Sequence, residues 1–229
     1  MAQGWTASRV GSGGRVSKAS NLQLMTFSLE PRDSPITSMA SHKEIEIKFK
    51  IDNMHALSRQ LREAGFRLVT PRTHEVNTLY DLPGAKLANS GELLRLRKYG
   101  ADWVLTHKAK GKEGRHKTRV ETETKVEDGM KMDAILHARG YSPSFRYEKF
   151  RAEWSDGNGH VVVDQTPIGN FGEIEGPSRW IDKTARSLNV DPKNYMTQNY
   201  AGLFFEWKKR TGSSANEMTF KAVRKRASR

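Results

Sequence analysis

Two things are absent from this chain of 229 residues: cysteine, and any run of about 18 apolar residues. The lack of cysteine excludes disulfides and thiolate-bound metal, and it is typical of a cytoplasmic protein. The lack of a long apolar run excludes a membrane-spanning helix, so no membrane partner is expected. The sequence also has no glycine-rich phosphate loop and no serine or cysteine nucleophile motif, and its histidines show no metal-ligand spacing.

Charge is plentiful but unevenly placed. The formal net charge is +13, yet residues 42–207 hold 27 Lys or Arg and 23 Asp or Glu. Residues 208–229 hold eight basic residues and one acid, so more than half of the excess lies at the C-terminal end. A basic folded surface is the usual mark of a nucleic-acid-binding protein, so this distribution argues against a specific nucleic-acid partner.

Composition predicts three regions. Residues 1–41 are rich in Gly and Ser and lack hydrophobic periodicity, which predicts a disordered N-terminal extension. Two other readings of residues 1–38 stay open: a targeting segment, because the first acid is Glu30, or a translation start at Met39. Residues 42–207 are expected to form one domain, and residues 208–229 a basic disordered tail.

The segment Glu44-Ile45-Glu46-Ile47-Lys48-Phe49-Lys50 alternates charged with apolar side chains. Successive side chains of a strand point to opposite faces, so the charges share one face and the apolar residues the other. Nine segments are typical of strands, at about 43–50, 66–70, 75–81, 92–99, 102–109, 116–126, 145–154, 160–164 and 170–176.

Three helices are expected among these strands. The first is capped by Asp52 and stops at Gly65, the second is capped by Asp128 and ends at Gly140, and the third begins near Ser178 and stops before Pro192. Each carries apolar residues at helical spacing, so the helices can cover the apolar faces of the strands.

The charged faces carry Glu-x-Glu pairs three times, at Glu44/Glu46, Glu121/Glu123 and Glu173/Glu175. A sheet with one face in water would also alternate in this way, and for any single strand that reading stands. Taken together, the pairs favour a closed barrel with charges inside, where facing carboxylates need divalent metals or basic side chains between them.

Six segments in order carry a family resemblance. They are Glu44-Ile45-Glu46-Ile47-Lys48, Glu92-Leu93-Leu94-Arg95-Leu96-Arg97, Trp103-Val104-Leu105-Thr106-His107-Lys108, Arg119-Val120-Glu121-Thr122-Glu123, Val163-Asp164-Gln165-Thr166-Pro167-Ile168-Gly169 and Gly172-Glu173-Ile174-Glu175-Gly176-Pro177. Across residues 42–207 the chain resembles the CYTH proteins, or triphosphate tunnel metalloenzymes, whose signature is ExExK. The C-terminal pattern of that family is matched only loosely, by Gln198-Asn199-Tyr200-Ala201-Gly202-Leu203 and the basic residues from Lys208 to Arg210.

The resemblance implies an α+β fold, a closed eight-stranded antiparallel tunnel with helices outside. It implies Mg2+ or Mn2+, hard cations that prefer oxygen ligands, held by Glu44, Glu46, Glu121, Glu123, Asp164, Glu173 and Glu175. It implies that basic side chains hold phosphate oxygens, namely Arg95, Arg97, Lys108, Arg119, Lys149 and Arg151. Glu44, Glu46 and Lys48 are the expected catalytic residues.

Three functions remain open from the sequence. The favoured one is hydrolysis of the terminal phosphoanhydride of inorganic triphosphate or of an organic triphosphate such as thiamine triphosphate, because it needs only a triphosphate site. The second is a class IV adenylate cyclase, which converts ATP to cyclic AMP and pyrophosphate. The third is a noncatalytic polyphosphate or nucleic-acid binder, which the many carboxylates disfavour. The expected assembly is a monomer or a homodimer.

Overall fold

A computed structural model describes residues 42–112 and 114–224. The expected N-terminal extension therefore lies outside the described residues. The described chain forms eight strands, six α-helices and one 3-10 turn at Pro192–Asn194. In chain order these are β1 (His42–Ile51), α1 (Met54–Glu63), β2 (Arg67–Asp81), α2 (Lys86–Ser90), β3 (Leu93–Tyr99), β4 (Asp102–Lys108), β5 (Lys117–Val126), α3 (Gly129–Ala138), β6 (Ser142–Ser155), β7 (His160–Thr166), β8 (Gly169–Glu175), α4 (Ser178–Ser187), α5 (Tyr200–Thr211) and α6 (Phe220–Arg224).

All eight strands form one closed antiparallel barrel in the order β1-β5-β4-β3-β2-β6-β7-β8. The expected closed eight-stranded tunnel is confirmed. Two of the nine expected strands, 66–70 and 75–81, are instead one strand, β2, which pairs with β6 through register shifts between Leu68 and Thr73. Pro71 lies in this irregular stretch and cannot donate a ladder hydrogen bond, which explains why the sequence pattern breaks there.

The alternation in β1 sorts its side chains as expected. Ile47, Phe49 and Ile51 face outward into a core that also contains apolar residues of β6, β7 and β8 and of the covering helices α1 and α4. Gly172 of β8 makes this packing possible, because a Cβ there would lie 2.3 Å from the Phe49 ring. The opposite face of β1, with Glu44 and Lys48, is buried inside the barrel.

The three predicted helices exist, with one correction. The side chain of Asn53, not Asp52, accepts the capping hydrogen bond of α1 from the Ala56 N–H at 3.0 Å. Asp128 caps α3 as expected, accepting from the N–H groups of Met130 and Lys131. Asn and Asp cap equally well, so the sequence alone could not choose between the neighbours Asp52 and Asn53.

The expected disordered tail from residue 208 is wrong for residues 208–224. Helix α5 continues to Thr211, α6 follows, and the Met218 side chain is fully buried. β6 extends beyond its pairing with β7, which starts at Phe150, and this leaves backbone groups of β6 free. The backbone of Met218 forms hydrogen bonds with these groups. Its N–H donates to the Arg146 carbonyl at 3.0 Å, and its carbonyl accepts from the Glu148 N–H at 3.1 Å.

We expect Met218→Ala to destabilise the protein by about 2–5 kcal/mol, the usual cost of truncating a fully buried Met. Met130→Ala is the matched control, because Met130 is 69% exposed on α3 and its loss should change stability by less than about 0.5 kcal/mol. Urea unfolding followed by circular dichroism measures both variants. Equal midpoints for the two would mean that the C-terminal segment contributes no packing energy.

Candidate functional site

The barrel encloses a cavity of about 290 Å³ lined mainly by charged side chains. Because the charged residues of each strand sit two apart, they share the inward face. The lining includes these predicted site residues: Glu44, Glu46, Lys48, Arg95, Arg97, Lys108, Arg119, Glu121, Glu123, Lys149, Arg151, Glu173 and Glu175. Asp164 is fully buried and contacts two of them. The structure therefore brings the whole predicted set together.

On one side of the tunnel, a continuous ion-pair network joins β1, β6, β7 and β8. Lys48 bonds to Glu173, its neighbour in the β1–β8 register, and Arg151 donates to Glu173 at 2.5 Å. Arg151 also forms a two-pronged contact with Asp164 at 2.8 and 2.6 Å, and Lys149 donates to Asp164 at 2.9 Å. Burial alone would lower the pKa of Lys48, but the carboxylates of Glu173, Glu46 and Asp164 together outweigh it and the pKa is raised. The pKa of Arg151 is raised as well, because Asp164 and Glu173 more than offset its burial.

Next to this network, Lys108 of β4 bridges two carboxylates. Its ammonium lies 2.8 Å from Glu44 and 2.7 Å from Glu121. Burial, together with the nearby Glu44 carboxylate, raises the pKa of Glu121 to about 8, although Lys108 opposes the shift. Lys108 therefore pairs with two acids, of which Glu121 also lies 3.8 Å from Arg95.

The opposite wall carries an arginine cluster formed by Arg95, Arg97 and Arg119. Arg95 and Arg97 both reach the Glu123 carboxylate, at 3.2 and 3.4 Å, and Thr106 donates to it at 2.6 Å. The Nε atoms of all three arginines are buried and have no hydrogen-bond partner among the described residues. Arg119 moreover forms no ion pair within the described ranges. Buried guanidinium donors without partners leave capacity for an anion with several oxygens.

Glu46 and Glu175, opposite each other in the β1–β8 register, are the least neutralised carboxylates. The nearest cation to Glu46 is Lys117 at 3.7 Å, and Glu175 forms no ion pair with any described residue. Burial, with repulsion from Glu44, Glu173 and Glu46, raises the pKa of Glu175 to about 7. Converging oxygen donors with unbalanced negative charge fit a hard divalent cation.

The side chains do not stand in a ligand arrangement, since no three His, Asp or Glu residues in the described ranges form a group that could hold a metal. The carboxylates instead accept from Lys and Arg. In chemistry and charge the donor set still fits a metal ion, and the sequence-predicted metal roles remain predictions.

Sequence reasoning missed several tunnel residues. Glu75 and Asn77 of β2 are fully buried, and the Asn77 amide donates to Glu75 at 2.8 Å. Glu75 lies 3.5 Å from Lys149 and 3.7 Å from Arg151. Their spacing of two within a predicted strand was the signal that could have found them. Lys117, also inward, has a pKa lowered by burial. Tyr200, which the sequence offered only as a loose match to the family's C-terminal pattern, lines the cavity from α5.

A closed antiparallel tunnel with carboxylates beside cations defines a class of protein that holds an anion and a metal ion together. The CYTH domain model matches residues 42–198, and the chain belongs to this family. Members are metal-dependent in general, and tunnels of this fold bind triphosphate substrates. None of the helices in the described ranges combines the length and the apolar composition that a membrane crossing requires.

Three matches illustrate the relationship. A candidate adenylate cyclase of Methanocaldococcus jannaschii is 26% identical over 171 residues, which cover 70% of this chain and 97% of that protein. The structure of a candidate adenylate cyclase from Vibrio parahaemolyticus superposes with a TM-score of 0.65 at 18% identity, covering 72% of this chain and 99% of that one. A candidate adenylyl cyclase from Hippeastrum, described as having a dominant triphosphatase activity, gives 0.53 at 19% identity, covering 71% and 95%.

The raised pKa of Glu175 predicts a pH effect on stability. Its carboxyl holds a proton in the folded state up to about pH 7 but loses it near the ordinary value of 4.5 when unfolded. Stability of the metal-free protein should therefore fall as pH rises from 5 to 8, with about 3 kcal/mol of the loss due to this group. Glu175→Gln should make the fall smaller, because Gln mimics the protonated acid, and Glu121, whose pKa is also raised, accounts for part of the loss that remains. Urea unfolding in EDTA at pH 5, 6, 7 and 8 tests this, and parallel curves for the two proteins would contradict it.

Proposed function

We propose that this protein is a metal-dependent triphosphatase that hydrolyses the terminal phosphoanhydride of inorganic triphosphate or of an organic triphosphate such as thiamine triphosphate. The observation that carries the proposal is the pairing of two unsatisfied sites in one cavity. Among the described residues, the Nε donors of Arg95, Arg97 and Arg119 find no acceptors, and Glu46 and Glu175 have little compensating positive charge. A triphosphate together with a divalent metal satisfies both.

Each part of the tunnel has a role in this proposal. Glu46 and Glu175 would hold Mg2+ or Mn2+, which supplies charge neutralisation next to the phosphates. For Glu44, Glu121, Glu123, Asp164 and Glu173 the metal role stays a prediction, because their oxygens accept from Lys, Arg or Thr.

The cations bind and orient the substrate. The arginine cluster and Lys108 hold nonbridging oxygens, and Lys48, kept charged by Glu173, stabilises the charge that develops during transfer. Water attacks the terminal phosphorus, the bridging P–O bond breaks, and orthophosphate separates from the shortened phosphate chain.

Hydrolysis is favoured over cyclisation because it needs only a triphosphate site, and the two tyrosine rings of the cavity already pack against other groups of the protein. The tyrosine rings that line the cavity, Tyr147 and Tyr200, stack on each other with centroids 5.7 Å apart. Tyr147 also stacks on Phe145, and the Tyr200 ring contacts two ammonium groups. The Hippeastrum protein, which has a similar fold, carries a cyclase name yet a dominant triphosphatase activity. A class IV adenylate cyclase remains the second candidate, supported by the name of the Methanocaldococcus relative.

The deciding experiment incubates the purified full chain with Mg2+ or Mn2+ and tripolyphosphate, thiamine triphosphate or ATP, and separates the products. We expect orthophosphate from tripolyphosphate or thiamine triphosphate, and none in EDTA. Cyclic AMP and pyrophosphate from ATP would establish the cyclase instead. Tight, metal-independent binding without turnover of any substrate would overturn both and support a binding protein.

Substitutions should separate metal-holding from phosphate-holding residues. Glu46→Gln should lower kcat/KM for tripolyphosphate by about 100-fold or more, and excess Mn2+ should restore part of it. Its melting temperature in EDTA should stay or rise, because one repelling charge is gone. Arg119→Ala should raise KM about tenfold, the effect of losing one charged hydrogen bond, and metal should not restore it.

The matched controls lie on α1, where Glu63 and Arg59 are exposed. Glu63→Gln and Arg59→Ala make the same chemical changes outside the tunnel and should leave both kinetic constants unaltered. Steady-state phosphate release at several Mn2+ concentrations measures all four variants. If Glu46→Gln and Arg119→Ala respond identically to Mn2+, the division of roles is wrong.

A further inference from the structure

Tyr200 is the first residue of α5, and hydrogen bonds of the preceding residues Met196 and Asn199 place it inside the tunnel. Four residues earlier, Met196 pairs with the backbone of Lys48: its N–H donates to the Lys48 carbonyl at 2.8 Å and its carbonyl accepts from the Lys48 N–H at 3.3 Å. Asn199 then caps α5 by accepting from the Gly202 N–H at 2.9 Å. The helix therefore begins at the cavity, with the Tyr200 side chain pointing inward and only 6% exposed.

The hydroxyl of Tyr200 forms a hydrogen bond with Asp164, a carboxylate that also accepts from two cations. It donates to Asp164 Oδ2 at 2.5 Å, and the same oxygen accepts from Lys149 at 2.9 Å and from Arg151 at 2.6 Å. Burial, with the charge of Asp164, raises the pKa of Tyr200 well above its usual range, so the hydroxyl keeps its proton and acts as the donor. Both Asp164 oxygens are thus occupied by groups of the protein, because Oδ1 accepts from Arg151 Nε at 2.8 Å.

The ring of Tyr200 contacts two further cations. The ammonium groups of Lys48 and Lys149 each lie 4.6 Å from its centroid, within the range of cation–π attraction. Tyr147 stacks on this ring and Phe171 meets it edge-on, at centroid distances of 5.7 and 6.0 Å, so the ring cannot turn away. One side chain therefore touches Lys48, Lys149 and, through Asp164, Arg151.

We propose that Tyr200 is a positioning residue of the triphosphate site, fixing Lys149 and Arg151 through its hydroxyl and Asp164, and Lys48 and Lys149 through its ring. This inference rests on the proposed function only in assuming that the tunnel binds a triphosphate. Long basic side chains lose conformational freedom when they bind an anion, so holding them in place beforehand strengthens binding. The residue belongs to a segment outside the barrel strands, and α5 thereby becomes part of the binding site.

Tyr200→Phe tests the hydroxyl and keeps the ring. We expect the Kd of tripolyphosphate, measured by calorimetry with Mn2+ present, to rise about tenfold, while the Kd of Mn2+ alone stays within about twofold. Tyr141→Phe is the matched control, because Tyr141 packs against the outer cluster near α3, and it should change neither constant. A tripolyphosphate Kd unchanged in Tyr200→Phe would overturn the proposal.

A double-mutant cycle checks that the hydroxyl acts through Arg151. In an Arg151→Lys background, which loses the two-pronged contact with Asp164, Tyr200→Phe should cost less than about threefold in Kd. Equal costs in both backgrounds would show that Tyr200 acts elsewhere. Tyr200→Leu, which also removes the ring, should weaken binding beyond Tyr200→Phe, and equal Kd values for the two would refute the role of the ring.

These readouts separate two kinds of failure. Wild-type protein that binds tripolyphosphate with Mn2+ but releases no phosphate would overturn the proposed hydrolysis and leave the positioning role testable by the same Kd values. A merely structural Tyr200 would lower the melting temperature without changing the Kd of the folded fraction, so melting curves are recorded for every variant.

Discussion

The balance of charge inside a closed barrel is the constraint on which this structure depends. A buried charge is costly unless a partner compensates it, and removing one member of a buried pair typically costs about 3–5 kcal/mol. Lys48 faces Glu173 across β1 and β8, and Arg151 faces Asp164 across β6 and β7, so each pairing is also a register contact of the barrel. A slip of one residue in either ladder would turn the charges outward and the apolar residues inward.

The balance of charge is complete around Asp164 and Glu173, where Lys48, Lys149 and Arg151 form a closed network. It is incomplete at Glu46 and Glu175, which have little compensating positive charge nearby. Within the described ranges, the Nε donors of the arginine cluster also have no acceptors. A metal ion and a phosphate chain each supply what the other part of the cavity lacks. Binding of either should therefore strengthen binding of the other, and by linkage the two affinities change by the same factor.

The C-terminal segment completes the barrel. Met196 covers the free backbone edge at Lys48, and Met218 covers that of β6. Between them α5 brings an aromatic cluster, with Leu203 and Phe204 packed on Phe145 and Phe171 of the strands. The tunnel wall thus includes Asn199, Tyr200 and Ala201 from the segment after the strands, and the basic residues from 208 onward continue the same packed segment up to residue 224.

By itself, the sequence determined most of the strand residues that face the tunnel. Period-two alternation in Glu44–Lys50 and in the later Glu-x-Glu strands separates the two faces, because strand geometry is local. Helix α3 was likewise predictable from Asp128, since capping involves only neighbouring residues.

The tertiary structure alone decided which charges neutralise each other. Lys108 between Glu44 and Glu121, and Tyr200 on Asp164, join residues far apart in the chain, and their contacts depend on barrel closure. The tertiary structure also decided that residues 208–224 are packed against the barrel, because Met218 is buried and forms hydrogen bonds with the free edge of β6. Such contacts leave no periodic pattern, because they come from a few scattered residues, such as Met218 and Phe220, in a segment that is polar elsewhere.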